Sequence, residues 1–139
     1  KMGKSEGNGI YLADDEKSIR RKVMRAVTDG GPTEPNSPMS EPIANLFALM
    51  ELVSESSTID HFKESYNNCT IRYGDLKKQL AEDILKTTLP IKERIEELYS
   101  DEPYLKRVLE GGTERARESA QSTLQKVREV VGFRSFLRK

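Results

Sequence analysis

At 139 residues, with 33% charged and 35% apolar side chains, the chain has the size of one ordinary domain and enough apolar mass for a single core. Its 23 basic and 23 acidic residues cancel, which excludes a global field that would draw it to nucleic acid or membrane and leaves any electrostatic role to local clusters. No apolar run approaches the roughly 18 to 20 residues of a membrane span, and one cysteine with one histidine, Cys69 and His61, is too little for an internal disulfide, a metal site or a Cys–His nucleophile. The expectation is a soluble, unexported, cytoplasmic protein that binds no metal.

The chain opens on KMGKSEGNG, a short basic run loosened by Gly3, Gly7 and Gly9, and GIYL then reads as a short extended piece. Asp14 or Asp15 is placed to cap a first helix running to about Ala26. At about 100° per residue, Ile19, Val23, Ala26 and Val27 fall on one side of it, Lys17, Arg20, Arg21 and Arg25 on the other, with Lys22 at the margin. Residues 28 to 42 hold four of the six prolines and two adjacent glycines, so they form a long surface loop. A second helix is expected from Pro42 to about Val53, with Ile43, Leu46, Phe47 and Met50 on one stripe. Thr58 caps a short helix ending near Tyr66, and NNCTIRYG is punctuation.

The longest periodic stretch, from Asp75 to Ser100, spaces Leu76, Leu80, Ile84, Ile91, Ile95 and Leu98 by three, four or seven residues. Only Pro90 interrupts it, and an internal proline costs about 3 kcal/mol, so a kink or two helices meeting there is expected. A short helix from Pro103 to Glu110 should stop at Gly111 and Gly112. A last helix, capped by Thr113 and ended by Gly132, aligns Ala116, Ala120, Leu124, Val127 and Val131 on one seam. Strand-like alternation is nearly absent. The fold class is therefore all-α, a bundle of five or six helices preceded by a flexible loop.

Three local patterns carry charge chemistry. In KMGKS, glycine lets backbone N–H groups approach an anion closely and lysine brings a positive charge, which suits phosphate; a plain chain end has the same composition. It is neither a Walker loop nor a dinucleotide fingerprint. The first helix carries five cations in nine residues with no acid among them, a face that asks for anions, either phosphates or acidic side chains of the same fold such as Glu93, Glu96 and Glu97. The tail FRSFLRK interleaves Phe133 and Phe136 with three cations and suits either packing on the bundle or stacking on nucleic acid. Asp14 with Asp15, and Asp101 with Glu102, read as caps before they read as acid/base pairs.

Together and in this order, KMGKS, LADDEKSIRRKVMRAVTD, the proline-rich loop, PIANLFALMELVS, YGDLKKQLAEDILKTTLPIKERIEEL and LKRVLEGGTERARESAQSTLQKVREVVGF resemble the tryptophanyl-tRNA synthetases, class I enzymes of the tryptophan/tyrosine subgroup. The likeness runs from that family's signature loop, usually KMSKS, to the helices that close its chain. Gly3 stands where the family has a serine, so a hydroxyl donor is lost while the backbone N–H remains. The sister tyrosyl family often carries glycine there and is the alternative, as is a free-standing helical RNA-binding module.

The resemblance implies an ATP-dependent ligase that activates tryptophan and transfers it to tRNA(Trp), a homodimer when full-length, of which this chain is the C-terminal part. Residues 1–14 would belong to the catalytic domain and residues 15–139 to a helical tRNA-binding domain. Lys1, Met2, Gly3, Lys4 and Ser5 would bind ATP, taken with Mg2+ as substrate. Lys4, assisted by Lys1, would be catalytic. Lys17, Arg20, Arg21, Lys22 and Arg25 would contact tRNA. The one histidine lies in DHFK, so the family's HIGH motif is absent from these residues, and the chain by itself is expected to be inactive.

Overall fold

The computed structural model describes residues 7–132. Three of the five helices begin where a side chain or a proline deals with the unsatisfied first-turn N–H groups. Helix α1 (Glu16–Met24) starts at Asp15, whose Oδ1 accepts from the Ser18 N–H at 2.8 Å. Helix α2 (Glu41–Val53) carries Pro42 in its first turn, and α3 (Ser56–Asn67) begins two residues before the expected Thr58. Helix α4 spans Tyr73–Ser100 and α5 spans Glu102–Val131; Asp101 caps α5 by accepting from the Tyr104 N–H at 2.9 Å. The all-α expectation holds, with five helices and no strand among the described residues. GIYL is irregular rather than strand-like.

Two breaks expected from composition are not breaks. Pro90 lies inside α4, so two separate helices do not meet there. The proline removes one backbone bond, the one to the Lys86 carbonyl, but its ring lies past the last buried residue of the helix, Thr88, where continuing costs no core packing. Gly111 and Gly112 likewise sit inside α5, neither with a positive φ. Each glycine costs about 1 kcal/mol against alanine, less than the backbone bonds gained by continuing. Thr113 does not cap: its hydroxyl donates to the Leu109 carbonyl at 2.7 Å, a mid-helix pattern. Gly132 does end the helix, in the left-handed conformation at φ 78° that favours glycine.

By its contacts the chain divides into two compact units, Lys1–Ile95 and Glu96–Lys139. In the first, Ile19 and Val23 of α1, the full predicted stripe of α2, Ile59 and Tyr66 of α3, and Leu76, Leu80, Ala81, Ile84 and Leu85 of α4 share one core. Val27, expected on the apolar face of α1, lies beyond the helix end and is exposed. The proline-rich loop is pinned to this unit. The Tyr66 hydroxyl donates to the Pro38 carbonyl at 3.3 Å and the Asn36 N–H to the Asn67 carbonyl at 3.1 Å. Asp29 accepts from the Tyr73 hydroxyl at 2.7 Å, from the Gly31 N–H at 2.9 Å and from the Ser40 hydroxyl.

At the end of α2, the buried Asp83 of α4 accepts from the Ser54 hydroxyl at 2.7 Å and from Gln79 Nε2 at 2.9 Å, so its charge is hydrogen-bonded rather than orphaned. In the second unit no residue of α5 is buried. The seam of Ala116, Ala120, Leu124, Val127 and Val131, expected to be core, is exposed: it is an amphipathic face with no cover among the described residues.

Candidate functional site

The expected ATP-binding residues Lys1, Met2, Gly3, Lys4 and Ser5 lie outside the described residues, as do Phe133 and Phe136 of the tail. Gly7, the first described residue, is in the left-handed conformation at φ 65°. An added Cβ there would meet nothing within 4 Å, so the backbone conformation rather than space favours glycine.

The five cations of α1 separate into two groups. Arg20 is occupied within the fold: its Nε and Nη2 donate to Glu16 Oε1 at 2.9 and 2.8 Å, Nη2 also donates to Glu82 Oε2 at 2.9 Å, and Nη1 pairs with Glu82 Oε1. Bonding to Glu82 and then to Glu16 raises the Arg20 pKa, and the same contact lowers that of Glu82. Lys22, expected at the margin of the face, is turned back on the segment before the helix. Its ammonium donates to Asp14 Oδ2 at 2.6 Å and to the Gly9 carbonyl at 2.8 Å, and lies 5.1 Å from the Tyr11 ring centroid. Burial raises the Asp14 carboxyl, but the Lys22 hydrogen bond, the Tyr11 N–H and the Lys22 charge outweigh it and hold the group below its ordinary value.

The acids that take up Arg20 and Lys22 among the described residues are thus Glu16, Glu82 and Asp14. Lys17, Arg21 and Arg25, spaced by four along one stripe, are exposed and make no ion pair or hydrogen bond through their side chains among the described residues. Arg21 and Arg25 line a cavity of about 550 Å³, together with Gly7, Asn8, Asn45 and Leu80. The same cavity therefore joins the residues that follow KMGKS to the unpaired arginines. Glu41 is its acidic member.

A stripe of unpaired cations, two of which share a cavity with Gly7 and Asn8, suits a phosphate-bearing ligand. The family model for tRNA synthetases class I (W and Y) matches residues 1–88. The chain belongs to this family. Over 134 residues it is 60% identical to the tryptophan–tRNA ligase of Porphyromonas gingivalis, a match covering 96% of this chain and 41% of that protein. It is 36% identical over 134 residues to the tryptophan–tRNA ligase of Treponema pallidum, covering 96% of this chain and 40% of the relative. The crystal structure of tryptophanyl-tRNA synthetase from Campylobacter jejuni superposes with a TM-score of 0.78 at 28% identity, over 96% of this chain and 42% of that one. A second structure of the same enzyme, complexed with ADP and tryptophan, superposes equally well. This chain spans about two fifths of the length of the curated relatives it matches. No helix among the described residues is long and apolar enough to cross a membrane.

Sequence reasoning had no means of dividing the cations of α1. Glu82 is 62 residues from Arg20, and its role follows from the packing of α4 against α1 rather than from any spacing. The Lys22–Asp14 pair was closer to hand: eight residues apart, it would have required Asp14 to be read as a partner rather than a cap.

Proposed function

We propose that this chain is the C-terminal part of a tryptophan–tRNA ligase, which activates tryptophan with ATP and transfers it to tRNA(Trp) in the cytoplasm. The observation that carries the reading is the 60% identity to one such ligase across 96% of this chain. Residues 1–14 belong with the catalytic domain and supply Lys4 and Lys1 to the phosphates of ATP, which enters as its magnesium complex. As the tryptophan carboxylate attacks the α-phosphorus, charge grows on the departing pyrophosphate, and a lysine placed against it is worth most in the transition state. Backbone N–H groups of Met2, Gly3 and Ser5 add donors that carry no net charge. The adenine, ribose and tryptophan pockets fall in the relatives' remaining length, so this chain alone activates no amino acid.

Residues 15–139 form the tRNA-binding side. The unpaired stripe Lys17, Arg21 and Arg25 supports this reading, since three cations without protein partners among the described residues are free to neutralise phosphates. Arg20 and Lys22 are engaged within the fold and contribute less.

The reading is tested on Lys4 in the full-length enzyme. Lys4→Ala should slow adenylate formation at saturating ATP by about a hundredfold to a thousandfold, or about 3 to 4 kcal/mol, while weakening ATP binding much less. Pre-steady-state measurement separates the two effects. A rate within a few fold of the unmodified enzyme would assign Lys4 to a solvated loop.

A further inference from the structure

The ammonium of Lys22 makes three contacts, and all three fall in the six residues that immediately precede α1 and its cap: the Gly9 carbonyl at 2.8 Å, the Tyr11 ring at 5.1 Å and Asp14 Oδ2 at 2.6 Å. The pair is partly withdrawn from water, with side chains 15% and 18% exposed, whereas Arg20 in its pair is 39% exposed. Being less exposed, the Lys22 pair is the less screened by salt of the two. Asp14 strengthens the same turn from within, because its Oδ2 also accepts from the Tyr11 N–H at 3.0 Å and its own N–H donates to the Tyr11 carbonyl at 3.0 Å. Gly7, two residues before Gly9, is in the left-handed conformation at φ 65°. Lys4 is five residues from Gly9 in the sequence.

We propose that Lys22 is a positioning residue for the signature loop: by clamping Gly9 and Asp14 to α1, it fixes the end from which the loop presents Lys4 to the ATP phosphates. This rests on the reading of Lys4 given above. Ile10 of the same segment packs against the core, but apolar attraction is non-directional and sets a position less specifically than directed polar contacts do. One cation shared between a carbonyl, a carboxylate and a ring fixes it at three points. Displacement of a catalytic group by about 1 Å is enough to cost about a hundredfold in rate, so a clamp at the loop's root acts on chemistry without touching substrate.

The test uses the full-length enzyme with Lys22→Met, which keeps the length of the stem and removes the charge, Lys22→Arg, which keeps the charge, and Asp14→Asn, which weakens the pair from the other side. Adenylate formation at saturating ATP should slow by about tenfold to a hundredfold in Lys22→Met and by less in Asp14→Asn, with the ATP dissociation constant changed by less than about threefold. Lys22→Arg should restore most of the rate. Hydrogen exchange at Tyr11 and Asp14 should quicken while exchange at Leu76, Leu80 and Ile84 of the core stays the same.

A rate within about twofold of the unmodified enzyme in both Lys22→Met and Asp14→Asn, or exchange that quickens equally in the core, would overturn the proposal and leave Lys22 as a general stabiliser. The parallel Lys4→Ala variant separates the two readings. A slow Lys4→Ala enzyme with a normal Lys22→Met enzyme removes only the latch, whereas a normal Lys4→Ala enzyme removes the reading on which the latch rests.

Discussion

Helices α2 and α5 are written with the same apolar spacing and end in different environments. In α2 the stripe of Ile43, Leu46, Phe47 and Met50 is buried; in α5 Leu124, Val127 and Val131 remain half or more exposed. The period of a sequence determines that a helix forms and which face is apolar. Burial needs a second surface, and α2 finds it in α3 and in the residues of α1 and α4 that share its core. Amphipathicity alone therefore does not mark a residue as core.

The comparison is broken or upheld most sharply by matched truncations. Leu80→Ala removes a side chain with no exposed surface and should cost this chain about 2 to 5 kcal/mol in urea denaturation. Leu124→Ala, at a position 50% exposed, should change stability by less than about 0.5 kcal/mol. Equal effects at the two positions would show that α5 is covered in solution and that the contrast is not a property of the chain.

The same division between local and distant causes explains what could be read in advance. The caps at Asp15 and Asp101 and the stop at Gly132 depend on residues within four positions of each other, and they stand where the spacing put them. The α2 stripe was legible because four residues of one period sit on one face. Gly111 and Gly112 do not stop a helix, and Pro90 does not divide one into two, because composition signals only a local preference of about one to three kcal/mol, which the continuing helix on either side overrides. Of the candidate site, α1 could be seen to carry cations, but not which of them the fold consumes, because Glu82 reaches Arg20 only once α4 is in place. The Asp29 hub, drawing on Ser40 and Tyr73, was likewise invisible from spacing.

Asp29 sharpens the contrast at an intermediate scale, since it holds a loop of low intrinsic order against the packed unit. The Ser40 hydroxyl, the Tyr73 hydroxyl and the Gly31 N–H hold its carboxyl below the ordinary value of 3.8. A depressed carboxyl contributes stability that is present above its unfolded pKa and lost as pH falls through the folded one. The chain should therefore begin to lose this contribution below about pH 3.8. Burial, and then Asp29, push the Tyr73 hydroxyl upward from 10.0, so its contribution is present below pH 10.0 and lost at higher pH. Asp29→Asn should cost about 1 kcal/mol at neutral pH and flatten the acid limb, and Tyr73→Phe should flatten the alkaline limb. Denaturation midpoints from about pH 2.5 to about pH 10.5 check both, and an acid limb left unchanged by the Asp29→Asn substitution would remove Asp29 from the hub.

The smallest effect on stability is expected within α1, where neighbouring cations differ only in whether the fold has engaged them. Arg20 pairs with Glu16 and Glu82 at the surface, so Arg20→Ala should destabilise slightly at low salt and not measurably at about 1 M, where the screening length falls to about 3 Å. Replacing Lys17, Arg21 and Arg25 together should leave stability nearly unchanged, because none of the three has a protein partner among the described residues. On the proposed reading, the order should reverse for tRNA binding by the full-length enzyme. Each phosphate neutralised contributes about 0.7 to 0.9 to the slope of log affinity against log salt, so the triple variant should flatten that slope by about two to three. Arg20→Ala should leave it unchanged. Binding isotherms across a salt series decide the matter: a flattened slope in Arg20→Ala with an unchanged slope in the triple variant would mean that pairing within the fold does not determine which cations reach the nucleic acid.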